Sequence, residues 1–307
     1  MNLLSKDNHY WYVIVAAVLY GTITAGGQFF VNLGLSLFEI SIYRAFLTSL
    51  MLLPVVLIKR EYLIKKEMLF FFVVYGLIGG LLELAMFGGI ALGVHVAVVA
   101  LLLYTQPIWT IIFGRLLLRE GITTKKLIAV VIAMSGIILL VKPWGIKNAK
   151  SLTGIVVSLV SGVLLSLWVI WGRKSVLQKQ HFVTTTIGWT GFSVIWLMLL
   201  WPIFYYFFPY AVITRISVNL PIVFLLYLVI YAAIGGVIPH LLFYRGFKKI
   251  EASVAGILLL LEPISASILA ALFFDQPIGL DIILGGALIL LSNYFVIRSR
   301  SSIIPTL

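Results

Sequence analysis

Ten stretches of the chain are almost wholly apolar: residues 10–32, 38–58, 68–91, 95–117, 124–142, 152–173, 182–205, 221–244, 252–274 and 279–297. Polar and charged residues collect in the gaps between them. Each stretch has about the 20 residues that an α-helix needs to cross a hydrocarbon layer. The pattern therefore predicts an all-α membrane protein of ten transmembrane helices. Most gaps are short, so successive helices run antiparallel as neighbours, and no linker is long enough to isolate a soluble domain. The longest gap, Tyr206 to Leu220, is rich in aromatic residues and is expected at the membrane interface. Met1 to His9 is polar and leads into the first apolar stretch with no clear small-residue cleavage site, so a retained first helix is expected.

Composition sharpens this picture. Of 307 residues, 62% are apolar and only 10% are charged, against roughly 25% charged in a soluble domain. Such a chain lacks the polar surface to face water on all sides. The net charge of +12 does not point to nucleic acid, because the lysines and arginines form short clusters between apolar runs instead of lining one face. There is no cysteine, which excludes disulfides and thiolate metal sites.

The clusters carry orientation. Lys6; Lys59, Arg60, Lys65 and Lys66; Arg115, Arg119, Lys125 and Lys126; Arg173, Lys174 and Lys179; Arg245, Lys248 and Lys249; and Arg298 and Arg300 all fall on one side of a ten-span topology. The other side holds only Lys142, Lys147, Lys150 and Arg215. Basic residues favour the cytoplasmic side, so both termini are expected in the cytoplasm and the chain in the cell membrane as a multi-pass protein. Tyr10, Trp11, Tyr12 and Trp144 suit an interfacial aromatic belt or ordinary packing.

An internal repeat is expected. A shift of 156 residues brings Val98, Leu102, Leu103, Pro107, Ile108, Ile112, Leu116 and Ile122 onto Val254, Leu258, Leu259, Pro263, Ile264, Ile268, Leu272 and Ile278. The loops speak more clearly than these identities. Arg119 and Lys125 fall opposite Asp275 and Asp281, while Lys248 and Lys249 fall opposite Leu92 and Gly93. Opposite charge bias at corresponding loops implies opposite orientation. The chain is thus read as two inverted five-helix repeats, residues 1–148 and 149–307, forming one transmembrane domain, a plan common among secondary transporters.

Residues 252–277, ASVAGILLLLEPISASILAALFFDQP, and residues 96–123, VAVVALLLYTQPIWTIIFGRLLLREGIT, resemble the ninth- and fourth-helix regions of EamA-type members of the drug/metabolite transporter superfamily. Leu261, Glu262 and Pro263 match that family's Leu-Glu-Pro element, Glu120 matches its helix-closing glutamate, and Arg44 sits where its second helix often carries arginine. The resemblance spans the chain in helix count and repeat, and it implies a ten-helix transporter. One departure stands out: where the second half often has Gly-Glu, this chain has Asp275, Gln276 and Pro277.

Ionisable groups at bilayer depth are costly unless they meet a partner or a wet cavity. Here they are Arg44, Glu83, His240 and Glu262, with Gln28, Gln106 and Asn293 as neutral polar groups. Glu262 is a candidate for solute or proton binding; alternatively it bridges the Leu259 carbonyl that Pro263 leaves without a donor. Gln106 beside Pro107 invites the same pair of readings, and both prolines are expected to kink their helices. Glu83 follows Gly76, Gly79 and Gly80 and suits cavity lining or an interhelical hydrogen bond. His240 follows Gly235, Gly236 and Pro239, an expected irregular stretch, and serves either proton coupling or a structural hydrogen bond. Arg44, about one and a half turns from the outer end of its helix, is read as snorkelling to the interface, with attraction of an anion as the alternative. Tyr20, Tyr104, Trp109, Trp168, Trp171 and Trp189 are candidate cavity aromatics or packing residues.

The expected function is secondary active transport, exporting a small metabolite such as an amino acid or related compound, with protons as a candidate coupling ion. The candidate binding residues are Glu83, Tyr104, Gln106, Trp109, Trp168, His240 and Glu262. A multidrug exporter, a passive channel or a helical scaffold are the alternatives. A phosphate-ester antiporter is disfavoured, because the fourth and ninth helices lack central lysine or arginine. No enzyme constellation, cofactor motif, metal site or nucleic-acid surface is visible; the partners expected are a solute and membrane lipid.

Overall fold

The computed structural model describes residues 8–92, 94, 96–142, 144, 152–217, 219–275 and 277–298. Lys6, His95, Lys147, Lys150, Gln276 and Arg300 lie outside the described residues. Ten apolar helical spans are present and, among the described residues, no strand. They are α1 (Asn8–Asn32), α2 (Leu37–Ile58), α3 (Leu69–Ala91), α4 (Val96–Leu103 and Gln106–Leu118), α5 (Thr124–Val141), α6 (Leu152–Leu177), α7 (Phe182–Phe207), α8 (Ile222–Tyr231 and Ile238–Gly246), α9 (Ala252–Leu258 and Leu261–Phe274) and α10 (Leu280–Arg298).

Local chemistry explains the helix ends. Ser36 opens α2 with a reciprocal cap: its hydroxyl accepts from the Glu39 N–H at 3.1 Å, and the Glu39 carboxylate accepts from the Ser36 N–H at 2.6 Å. Gly34, with φ of +85°, supplies the left-handed turn that ends α1. Lys179 does the same after α6 at φ of +58°, and His181 then opens α7 by accepting from the Val183 N–H at 3.3 Å. The turns match bond for bond: Gly34 donates to Val31 and Leu35 to Phe30, while Lys179 donates to Val176 and Gln180 to Ser175. Arg119 and Asp275 close α4 and α9 in the same left-handed conformation, at φ of 58° and 52°.

Three spans are interrupted. Proline has no N–H to give to the carbonyl four residues earlier, and α4 and α9 both break about one turn before their prolines, at Tyr104–Thr105 and Leu259–Leu260. Thr105 (φ −68°, ψ −9°) and Leu260 (φ −67°, ψ −2°) have nearly the same backbone. The carbonyl of Leu259 is not left open, contrary to the sequence reading: the Glu262 N–H donates to it at 2.9 Å. The tight turn takes up the acceptor that the alternative reading assigned to the Glu262 side chain. In α8, the stretch Ala232–Val237 is a π-helix, the irregularity that Gly235, Gly236 and Pro239 foretold.

Packing sets the bundle. α5 and α10 run antiparallel and cross where two glycines touch: a Cβ on Gly136 would sit 2.7 Å from the Gly285 carbonyl oxygen, and one on Gly285 would sit 2.6 Å from that of Gly136. The Ser292 hydroxyl donates to the Ala129 carbonyl at 2.6 Å across the same seam. α3 packs on α6 and α7, and α8 packs on α1 and α2; α6 packs on α4, and α1 packs on α9. A dense cluster that includes Val13, Phe72, Tyr75, Phe243, Tyr244 and Phe247 fills the end of the bundle where α1 and α3 begin and α8 ends. The Tyr75 and Tyr244 hydroxyls meet there at 2.7 Å, both side chains fully buried.

Candidate functional site

A cavity of about 80 Å³ lies among α1, α2, α3, α4, α6, α7, α8 and α9. Arg44, Glu83, His240 and Glu262 all line it, together with Tyr20, Trp168 and Trp189. Four of the sequence candidates, Glu83, Trp168, His240 and Glu262, thus come together although they lie far apart along the chain.

Arg44 does not snorkel. Its side chain is 5% exposed, turned inward from α2, and its guanidinium donates to the Glu83 carboxylate of α3 in an ion pair. The other Glu83 oxygen accepts from the Ser41 hydroxyl at 3.1 Å. Reaching the interface would leave Glu83 charged and unpaired in the bundle, a cost of several kcal/mol for a buried ion. Pairing inward removes that cost. Glu83 therefore meets both of its sequence readings, since it lines the cavity and joins two helices.

His240 donates its Nδ1–H to the Gly236 carbonyl one turn back in α8. The ring lies in an aromatic box, with centroids 5.1 Å from Tyr20, 5.7 Å from Trp168 and 4.9 Å from Trp189. The Tyr20 hydroxyl and the indole N–H groups of Trp168 and Trp189 are buried without a hydrogen-bond partner among the described residues. The small residues of α3 make room for this box, since a Cβ on Gly79 would lie 2.8 Å from the Trp189 ring.

Gln106, Trp109 and Tyr104 lie outside the cavity lining. Gln106 is fully buried, donates to the Thr110 hydroxyl within its own helix and faces Gly256 of α9. Trp109 donates to the Thr105 hydroxyl at 3.1 Å and stacks with Phe113. Tyr104 packs in a separate cluster with Ile137 and Ile289. Both halves of α4 pack on α6, and the second half also packs on the start of α9. Arg44 is the cavity residue whose surroundings the sequence misjudged. A basic residue and an acidic residue each a few turns inside neighbouring spans was the available signal. Among the described residues no cluster of metal-ligating side chains occurs.

At the packed end of the bundle lies a second polar cluster. Glu120, just beyond α4, accepts from the Ala252 N–H at 2.6 Å, the Ser253 N–H at 3.0 Å and the Ser253 hydroxyl at 2.5 Å. It caps α9, whose own N-cap residue, Glu251, makes no side-chain cap. Lys126, 2% exposed, pairs with Glu251 at 2.6 Å and donates to the Gly121 carbonyl at 2.8 Å.

Ten apolar spans around a polar centre describe a multi-pass membrane protein. The model of the EamA-like transporter family matches residues 8–142 and again 152–298, and the chain belongs to that family. It is 23% identical over 299 residues to an uncharacterised transporter of Clostridium kluyveri, covering 92% of this chain and 91% of that one. It is 28% identical over 204 residues to an uncharacterised transporter of Archaeoglobus fulgidus, covering 66% and 68%. A solved crystal structure superposes with a TM-score of 0.76 over 96% of this chain and 99% of the other, at 15% identity, a likeness of fold.

Proposed function

We propose that the chain is a secondary active transporter that exports a small metabolite, an amino acid or related compound, across the cell membrane. The observation that carries this reading is the convergence of Arg44, Glu83, His240 and Glu262, from four different helices, on one cavity. Lipid would reject each of them, and a solute with both charged and apolar parts would use them. A carboxylate acts as acceptor for the unpartnered donors of Tyr20, Trp168 and Trp189; an ammonium group is complemented by Glu262, because Glu83 is already engaged by Arg44. Protonation of Glu262 is the coupling step.

Two inverted repeats supply the motion. The double family match, the equivalent breaks in α4 and α9, the equal turns after α1 and α6, and the paired contacts of α3 with α6 and α8 with α1 all support this. The termini are cytoplasmic in this reading, so the packed end around Tyr75 and Tyr244 faces the cytoplasm. A multidrug exporter on the same fold is the second reading, favoured by the aromatic box, and it differs in accepting unrelated amphipathic cations.

The test is transport of radiolabelled amino acids by the purified chain in proteoliposomes at varied pH, beside Glu262→Gln. Saturable transport that loses its pH dependence in the variant is expected. Transport with unchanged pH dependence would remove Glu262 from coupling, and flux equal to protein-free vesicles would end the transporter reading for these solutes. The chain has no cysteine, so single cysteines at Lys179 and Tyr210 report topology: the first labels only from the cytoplasmic side, the second only from outside.

A further inference from the structure

Basic side chains at the packed end of the bundle do not share one setting. Lys126 is buried against Glu251 at 2.6 Å, and its charge is spent there. Lys174 rests on Trp171 and Arg298 on Tyr294, each by itself, at 5.0 and 4.9 Å from the ring centres. Where α2 and α8 end and α7 begins, cations gather. The Lys59 ammonium lies 5.6 Å from the Tyr62 ring, and the Arg245 guanidinium lies 4.9 Å from the Tyr12 ring and 5.9 Å from that of Phe182. A continuous row of rings connects them: Tyr62 stacks on His181 at 4.0 Å, and His181 meets Phe182 at 3.9 Å.

The fold fixes this row. Lys59 caps the end of α2, giving its backbone N–H to the Val55 carbonyl, and the short turn Arg60–Tyr62 follows. The Thr184 hydroxyl of α7 donates to the Tyr62 carbonyl at 2.8 Å and fastens that turn. Lys248 joins from the turn after α8. Lys59, Arg245 and Lys248 are exposed, and none of them takes part in an ion pair among the described residues. Beyond its burial, His181 feels all three, each disfavouring its charged form, against Glu61 as the carboxylate that favours it. A cation resting on a ring face keeps N–H donors for an anion. The surface beside it says which kind. Leu57 and Ile58, directly before Lys59, are 60% and 80% exposed, so apolar surface begins where the cations stop. A soluble anion meets the cations alone, whereas an anionic phospholipid meets both surfaces at once.

We propose that this corner is a binding site for an anionic phospholipid: the headgroup phosphate sits beside His181 with Lys59, Arg245 and Lys248 around it, and an acyl chain lies along the exposed end of α2. One headgroup thereby ties the end of α2 to the end of α8. Each basic side chain near a membrane surface contributes about fivefold to affinity for an anionic lipid. Three of them, held by neighbouring rings, give roughly 100-fold preference over a zwitterionic lipid with the same chains.

The full chain purified in neutral detergent tests this, with native mass spectrometry counting retained lipid as phosphatidylglycerol or phosphatidylcholine is added. The combined variant Lys59→Gln, Arg245→Gln and Lys248→Gln is expected to lose the preference for phosphatidylglycerol. The combined control Lys65→Gln, Lys66→Gln and Lys125→Gln removes the same charge from exposed positions at the same end and should keep it. Glu61→Gln, which removes the opposing carboxylate, should tighten phosphatidylglycerol binding about fivefold, a gain that a purely structural role for the corner does not give. If the combined variant fails to fold, Lys59→Gln by itself decides, with about a fivefold loss expected. Equal losses in the combined variant and its control reduce the effect to general surface charge and overturn the site. Equal retention of the two lipids by the unmodified chain also overturns it. Displacement of phosphatidylglycerol by millimolar inorganic phosphate marks a free-anion site and overturns the lipid assignment.

Discussion

The carboxylate of Glu120 holds both the backbone N–H and the hydroxyl of Ser253, at 3.0 and 2.5 Å, across 133 residues of chain. One side chain from the end of α4 thereby completes the N-terminus of α9, where four N–H groups would otherwise lack partners. The two proline-broken spans are fastened to each other at the packed end of the bundle, with Lys126 pairing Glu251 beside them.

Glu120→Ala is expected to lower the thermal unfolding midpoint in detergent, by the equivalent of about 1–2 kcal/mol for a lost cap. Glu120→Gln keeps one acceptor oxygen and loses less. Equal midpoints for the alanine variant and the unmodified chain would mean that the α9 terminus is satisfied without Glu120.

The Arg44–Glu83 pair predicts strong non-additivity. Removing one partner from a buried ion pair costs about 3–5 kcal/mol because a charge is left alone. Arg44→Ala and Glu83→Ala should therefore each destabilise more than the double variant does relative to either single. Additive losses in a double-mutant cycle would show that the two side chains act separately.

The glycine crossing of α5 and α10 predicts intolerance of a single methyl group. Gly136→Ala and Gly285→Ala each force a Cβ against a carbonyl oxygen of the facing backbone, which has no rotamer by which to move aside. A loss of about 1–3 kcal/mol is expected, read as a lower midpoint. Gly121→Ala, where an added Cβ meets open space, is the control and should change little.

His181 predicts a pH effect on stability. It opens α7 by accepting from the Val183 N–H and lies flat on Tyr62, with ring centroids 4.0 Å apart. Burial, with Lys248 nearby, holds its pKa below the usual 6.5. The folded chain thus binds fewer protons at this site than the unfolded chain, and stability rises with pH through this window. The contribution is complete above pH 6.5 and is lost as pH falls toward the folded value. His181→Asn, which keeps a capping oxygen, should flatten the midpoint between pH 7 and 5 relative to the unmodified chain. An identical slope in both would assign the pH effect to another group.

Ten spans, their boundaries to within a few residues, the breaks at Pro107 and Pro263 and the irregular stretch before His240 were all legible in the linear chain. Apolar run length and the missing proline N–H act locally, so the order of residues is enough to determine them. That Glu83, His240 and Glu262 need a partner or a cavity was also legible, because an ionisable group within an apolar span is costly, and all three line the central cavity. Which way each faces was not. Arg44 reads as an interfacial side chain until Glu83 of a different helix is brought beside it, and Gln106, Trp109 and Tyr104 read as cavity candidates until the packed bundle places them among other neighbours. The capping of α9 by Glu120 has no signature in sequence at all. These depend on the rotation and crossing of whole helices, which packing among distant segments decides, and apolar periodicity is too uniform in this chain to mark one helix face from another.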